Sequence, residues 1–117
     1  MKRVFICSPL RPIGGNSMED NIDLVRRLCR AAAFAGVAPY APHLYIPQFL
    51  NDTLASERDL GLAIGKIFLG FCEEVWVYDG LGISTGMHGE IGVCSSRGIP
   101  IVNMPKPFID VPAKRPL

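Results

Sequence analysis

Between Val75 and Asn103 the chain reads as an apolar strand (Val75 to Tyr78), a glycine-rich turn, a helix running to about Ser96, and a second strand, Ile101 to Asn103, entered through Arg97-Gly98-Ile99-Pro100. Two strands joined through a helix in this way lie parallel, and right-handed crossovers place the helices on both faces of the sheet. The amino-terminal part repeats the arrangement. Arg3 to Cys7 is a short strand-type run ending in Ser8-Pro9, and Arg11-Pro12-Ile13-Gly14-Gly15-Asn16 is a loop by its Pro and Gly content. Ser17, placed to form a capping box with Asp20, opens a helix whose apolar positions Ile22, Val25, Leu28, Cys29, Ala32 and Ala33 recur at helical spacing up to Gly36. A strand over Ala38 to Ala41 follows. His43 to Thr53 reads as a connection, either a flap over the sheet edge or a short helical turn. Leu54 to Cys72 predicts an amphipathic helix with Leu60, Ile64, Ile67, Phe68 and Phe71 on its buried face. The expectation is one α/β domain over residues 1–104, a parallel sheet with helices on both faces, followed by a proline-rich tail over residues 105–117.

Composition narrows the function classes. A chain of 117 residues buries a real core but has no room for separate cofactor and substrate domains. Its hydrophobic content of 49% and charged content of 20% mark a folded protein, and a net charge of +1 gives no basic footprint for a nucleic acid polymer. No apolar run is long enough to span a bilayer. Cys7, Cys29, Cys72 and Cys94 stand apart with no C-x-x-C pair, and Met1-Lys2-Arg3 leads straight into a strand without a signal peptide. Reduced thiols and a cytoplasmic location are therefore expected, with two of the cysteines filling core positions on helices. His43 and His88 are isolated, which leaves no metal-ligand spacing; His43 reads as a loop residue and His88 as a helix-start residue.

The segment from Val75 to Gly92 also carries the chemistry. In an open α/β sheet, ligands bind at the carboxyl ends of strands and the amino ends of helices, and this junction holds Ser84, Gly86 and Glu90. Glu90, read as lying at a solvent-accessible helix start, is kept ionised by free N–H groups and the macrodipole, as a nucleophile or as an ordinary helix-start acid. Gly82, Gly86 and Gly89 strip side chains from the approach. Ser84 offers its hydroxyl to an anion, or simply caps the helix. Gly82-Ile83-Ser84-Thr85-Gly86 matches the G-x-S-x-G of a nucleophile elbow, but such a hydrolase needs a histidine after the acid and none follows His88. Asp59 either pairs with Glu90 as the second carboxylate around an anomeric carbon, or is a solvated helix charge beside Arg58. Arg11 either clamps a phosphate from the first loop or is exposed.

Taken in order, Val4-Phe5-Ile6-Cys7 leading into Ser8-Pro9-Leu10-Arg11, then Glu57-Arg58-Asp59-Leu60, then Ser84-x-Gly86-x-x-x-Glu90-Ile91-Gly92, and Gly98-Ile99-Pro100 span roughly residues 3 to 103. This set resembles the nucleoside 2-deoxyribosyltransferase superfamily, in particular its branch of small bacterial and prophage proteins and its nucleotide N-glycosidases. The resemblance implies a flavodoxin-like or Rossmann-like parallel sheet and cleavage of an N-glycosidic bond without cofactor or metal. It implies Glu90 as nucleophile and Asp59 as a helix aspartate that contacts the sugar and assists catalysis. Ser84 falls where nucleotide-cleaving members carry a phosphate-contacting serine and nucleoside transferases an aspartate; Ser8, Arg11, Gly86 and Met87 complete the implied substrate- and phosphate-binding set. A serine does not repel a phosphate, so a 5′-monophosphate is favoured over a free nucleoside. Two positions depart from the pattern: Pro9 stands where nucleotide-cleaving members often have serine, and His88 where the glutamate's neighbours are often small. A neighbouring subunit's carboxyl-terminal region completes the site in this superfamily, and Asn103 and the tail are the candidates here.

The expected function is cleavage of a nucleoside 5′-monophosphate or nucleoside through a covalent glycosyl-Glu90 intermediate, with water or a second base as acceptor. The expected assembly is a homodimer or higher homo-oligomer, with Tyr45, Ile46, Phe49 and Leu50 as a contact surface. The rival from another class is a nucleotide-binding or phage- or defence-related interaction protein that keeps the fold without turnover. A phosphate-binding flavodoxin-like module using Gly14-Gly15 and Ser84 is weaker, since no dinucleotide or P-loop fingerprint occurs.

Overall fold

The computed structural model describes residues 1–104 of the chain. Four parallel strands lie in the order β2-β1-β3-β4, with β1 at Arg3–Cys7, β2 at Ala38–Tyr40, β3 at Glu74–Val77 and β4 at Ile101–Asn103. β1 pairs with β2 on one side (Phe5 opposite Tyr40) and with β3 on the other (Cys7 opposite Val77). A strand flanked on both edges and covered on both faces must be apolar throughout, and Val4 to Cys7 are fully buried. Pro39 is tolerated because β2 is an edge strand, with one side free of ladder bonds.

The pleat splits the core in two. On one face Val4 and Ile6 meet Val25, Leu28 and Ala32 of α1 (Met18–Phe34), with Tyr78 and Met104 closing the cluster. On the other, Phe5, Cys7, Val75 and Val77 meet Leu69 of α3 (Ala55–Leu69) and Met87 and Cys94 of α4 (Thr85–Arg97). Helices therefore cover both faces, as expected. Ser17 caps α1 through the expected box, its hydroxyl accepting from the Asp20 N–H at 3.1 Å. The connection after β2 folds as a one-turn helix α2 (Pro42–Tyr45) and a 3-10 turn (Ile46–Gln48), which settles the choice between flap and helical turn. At Gly80 a Cβ would run into the ring of Tyr78, so a side chain there requires that ring to shift.

The expected buried face of α3 is corrected. Leu60, Ile67, Phe68 and Phe71 are exposed, by 39% to 65%, and Ile64 is half-buried. The helix instead lies on a narrow edge formed by Gly61, Gly65 and Leu69. A Cβ at Gly61 would stand 3.1 Å from Cγ2 of Ile46, so the missing side chain is what lets α2 and the 3-10 turn approach. Glycines carry almost no hydropathy signal, and the apolar side chains on the opposite face dominated the periodicity.

The order β2-β1-β3-β4 reverses direction between β1 and β3. Loops leaving the carboxyl ends of those two strands run apart there, and the crevice between them is where open α/β sheets bind ligands. The expected tail over residues 105–117 lies outside the described residues.

Candidate active site

The loop after β1, α2 and the connection that follows it, α3, and the start of α4 build the crevice. After β1 the chain runs through Ser8, Leu10 and Arg11, and three side chains fix this segment. The buried Asn21 donates from Nδ2 to the carbonyls of Leu10 and Arg11 at 3.0 and 2.9 Å. Nε2 of His43, on α2, lies 2.7 Å from the carbonyl of Ser8. A carbonyl only accepts, so that nitrogen carries the proton. Burial holds the His43 pKa below its ordinary value, which keeps the ring neutral at neutral pH. The Arg11 guanidinium binds Asp52, with Nε 3.1 Å from Oδ2 and Nη2 2.9 Å from its carbonyl. Asp52 also faces Arg58 of α3, whose Nε is 3.9 Å from Oδ1.

Beyond β3, Ser84 caps α4: its Oγ accepts from the Met87 N–H at 3.2 Å. The capping role and a ligand-binding role are compatible, because the hydroxyl still has its own hydrogen to donate. Glu90 is not in the first turn. It lies in the second, 6% exposed, and its Oε1 accepts from the Cys7 thiol at 3.3 Å. The expectation of a solvent-accessible carboxylate kept ionised by the helix end is thereby corrected. Desolvation raises its pKa to about 7, against smaller lowering effects of the Cys7 hydrogen bond and the Lys66 charge.

A cavity of about 360 Å³ opens over these groups, lined by Ser8, Arg11, His43, Asp52, Arg58, Ser84, Gly86, Met87 and Glu90 among others. That volume falls within the roughly 300–1,000 Å³ of small-molecule sites. A smaller cavity of about 40 Å³ against Ile46, Gly61 and Gly65 shares Glu90, His43 and Asp52 with it. Ser8 Oγ is buried and has no hydrogen-bond partner among the described residues, so the cavity contains one unused polar group. Two guanidinium groups against one carboxylate, Asp52, suit an anionic ligand.

Of the residues singled out from sequence, Glu90, Ser84, Ser8, Arg11, Gly86 and Met87 line this one cavity. Asp59 does not. It is exposed on α3, which contributes Arg58 and Leu62 to the lining instead. The carboxylate that accompanies Glu90 in the cavity is Asp52, in the connection after β2. Gly82 and Gly89 are exposed outside the cavity, His88 is exposed, and Asn103 is exposed at the end of the edge strand β4. Sequence reasoning missed Asp52, Arg58 and Cys7 and misplaced His43 as a loop residue. Arg58 shares a helical edge with Leu62 and Gly65, a spacing that pointed inward. Cys7 ends β1, at the carboxyl end where such sheets bind ligands, and that position was its one signal; Asp52 had none.

The chain belongs to the family described as a domain of unknown function (DUF7768), whose family model matches residues 2–104. No curated protein matches it. Among solved structures it is similar to a 2-deoxyribosyltransferase from the psychrotolerant bacterium Bacillus psychrosaccharolyticus, with a TM-score of 0.61 and 12% identity over 92% of this chain and 79% of that one. At that identity the likeness establishes a shared α/β fold. Among the described residues no helix is long and apolar enough to cross a membrane, and no cluster of His, Cys, Asp or Glu has the arrangement of a metal site.

Proposed function

We propose that the protein cleaves the N-glycosidic bond of a nucleoside 5′-monophosphate or nucleoside. One observation carries the reading: a buried carboxylate, Glu90, opens into a cavity whose other walls carry Arg11, Arg58, Ser8 and Ser84. In this reading the ionised Glu90 attacks the anomeric carbon and the bond to the base nitrogen breaks, its electron pair leaving with the base, which takes up a proton. Water then attacks the glycosyl ester and restores the carboxylate, or a second base does so in a transfer reaction. The sugar phosphate lies toward Ser84 and the two arginines. Asp52 competes for those arginines in the free protein and holds them in place for the incoming anion.

Support also comes from the shared fold and from the order of residues that resembles the superfamily. A second reading, nucleotide binding without turnover, is favoured by the exposure of Asp59 outside the cavity. The assembly in the proposal is a homodimer or higher homo-oligomer: of the expected contact surface Ile46 is buried and Leu50 partly so, but Tyr45 and Phe49 are about half exposed and continue through ring contacts at 5.0 and 6.2 Å into Phe68 on the exposed face of α3.

Incubating the protein with a panel of nucleoside monophosphates and their parent nucleosides, and following free base by chromatography, tests the reading. Base release by the wild type and at least a tenfold loss in Glu90→Ala, a barrier increase of about 1.4 kcal/mol, are expected. Saturable binding of a monophosphate with no base released would establish the second reading instead.

A further inference from the structure

Cys7 is the last residue of β1 and fully buried, and its thiol is the one group among the described residues that hydrogen-bonds the Glu90 carboxylate, at 3.3 Å to Oε1. A thiol is a weak donor, yet this one is committed. Burial, and next the negative charge of Glu90, push its ionisation far above the usual thiol range. The thiol is therefore held protonated at neutral pH, as a hydrogen-bond donor rather than a thiolate nucleophile. Its position is fixed by the central strand, which is paired on both edges.

We propose that Cys7 is a positioning residue: its S–H holds Oε1 of Glu90, so that Oε2 is presented to the cavity as the oxygen that bonds to the sugar. This rests on the proposed role of Glu90. The thiol does not touch substrate and acts through the carboxylate. A carboxylate on a helix has free rotation about its terminal torsion, and a nucleophile that must meet one carbon gains from losing it.

The groups around Glu90 leave its titration readable. Cys7 faces it from β1, Tyr40 from β2, His43 from α2, Lys66 from α3, and Cys94 shares α4 with it. Asp52 lines the same cavity. Tyr40 is pushed up to about 12 and Cys94 to about 11, and His43 is held down, so none of these three changes charge between pH 7 and 9.

The test compares Cys7→Ala and Cys7→Ser with the wild type. Carbon-13 NMR titration of labelled glutamate carboxyls, with the Glu90 signal assigned by its loss in Glu90→Gln, reads the linkage without any substrate. Cys7→Ala is expected to move the Glu90 midpoint up by about one pH unit, a tenfold fall in the ionisation constant, and Cys7→Ser to restore it. In base release, Cys7→Ala lowers kcat with KM within twofold of wild type, and Cys7→Ser recovers most of kcat. Should Cys7→Ala not fold, Cys7→Val, which fills the space without a donor, carries the same comparison. An unchanged Glu90 midpoint in the donor-less variant, or equal damage by serine and alanine, overturns the proposal. A shifted midpoint in Cys7→Ala, alongside a wild type that releases no base, leaves the Cys7–Glu90 linkage standing and removes the glycosidase reading alone.

Discussion

In its proposed role Glu90 combines two requirements that oppose each other: a nucleophile has to be ionised, and a carboxylate withdrawn from water resists ionisation. Its pKa of about 7 makes the outcome pH-dependent in a defined direction. Under the proposed mechanism, base release is expected to rise with pH through about 7 as the ionised fraction grows, with kcat/KM on the acid side as the readout. Stability runs the other way. With the folded pKa raised from 4.5 to about 7, the group's contribution is fully present below about 4.5 and is lost as pH rises through 7. Glu90→Gln, which never ionises, is expected to match the wild type in melting temperature near pH 4.5 and to exceed it at pH 8, where the gain approaches roughly 3 kcal/mol. An equal offset at both pH values contradicts the burial of Glu90. Ser84→Asp tests the other end of the cavity: a second anion should weaken a monophosphate while sparing its parent nucleoside, and equal weakening of both in competition binding would leave Ser84 a helix cap only. At this scale the sequence was legible where one segment carries both the residue and its setting, as Ser84, Gly86 and Glu90 do. Asp52, Arg58 and His43 enter the cavity through tertiary convergence of three separate elements. The ionisation state of Glu90 was misread because the helix end was weighed and the burial by β1 was invisible.

Among the elements, α3 is the instructive one. Four parallel strands, the α1 capping box and the helix after Ser84 followed from period, turn residues and caps, with boundaries displaced by a residue at β2 and β3. The face of α3 did not follow. A helix with apolar side chains on one side and glycines on the other offers two surfaces to the sheet, and hydropathy favours the wrong one when close approach requires glycine. Gly65 is buried, yet a Cβ there meets Pro42 Cβ at 3.7 Å, an ordinary contact, so Gly65→Ala is expected to stabilise the fold by about 0.5–1 kcal/mol through helix propensity. At Gly61 the Cβ of valine, placed 3.1 Å from Ile46, and its two further methyls force the 3-10 turn outward, and Gly61→Val is expected to cost about 1–3 kcal/mol. Denaturant unfolding of the pair reads both signs; destabilisation by Gly65→Ala would mean that α2 and α3 lie closer than described.

For the molecule as a whole, the apolar residues α3 leaves outside are the strongest argument for assembly. Leu60, Ile67 and Phe71 are more than half exposed, and Tyr45 and Phe49 adjoin them through Phe68. A homodimer burying roughly 1,000 Å² or more in total would cover them. Ile67→Asp is then expected to lower the mass seen by light scattering while leaving circular dichroism unchanged; a wild-type monomer at micromolar concentration that still releases base would show that no neighbour completes the site. The central claim is that a sugar becomes bonded to Glu90. Acid-quenching the protein during turnover of a nucleoside monophosphate, followed by intact-mass and peptide mass spectrometry, addresses it most directly. The account predicts an adduct with the mass of the sugar phosphate less water, mapped to the peptide holding Glu90 and absent from Glu90→Gln; base release at the wild-type rate by Glu90→Gln would contradict it.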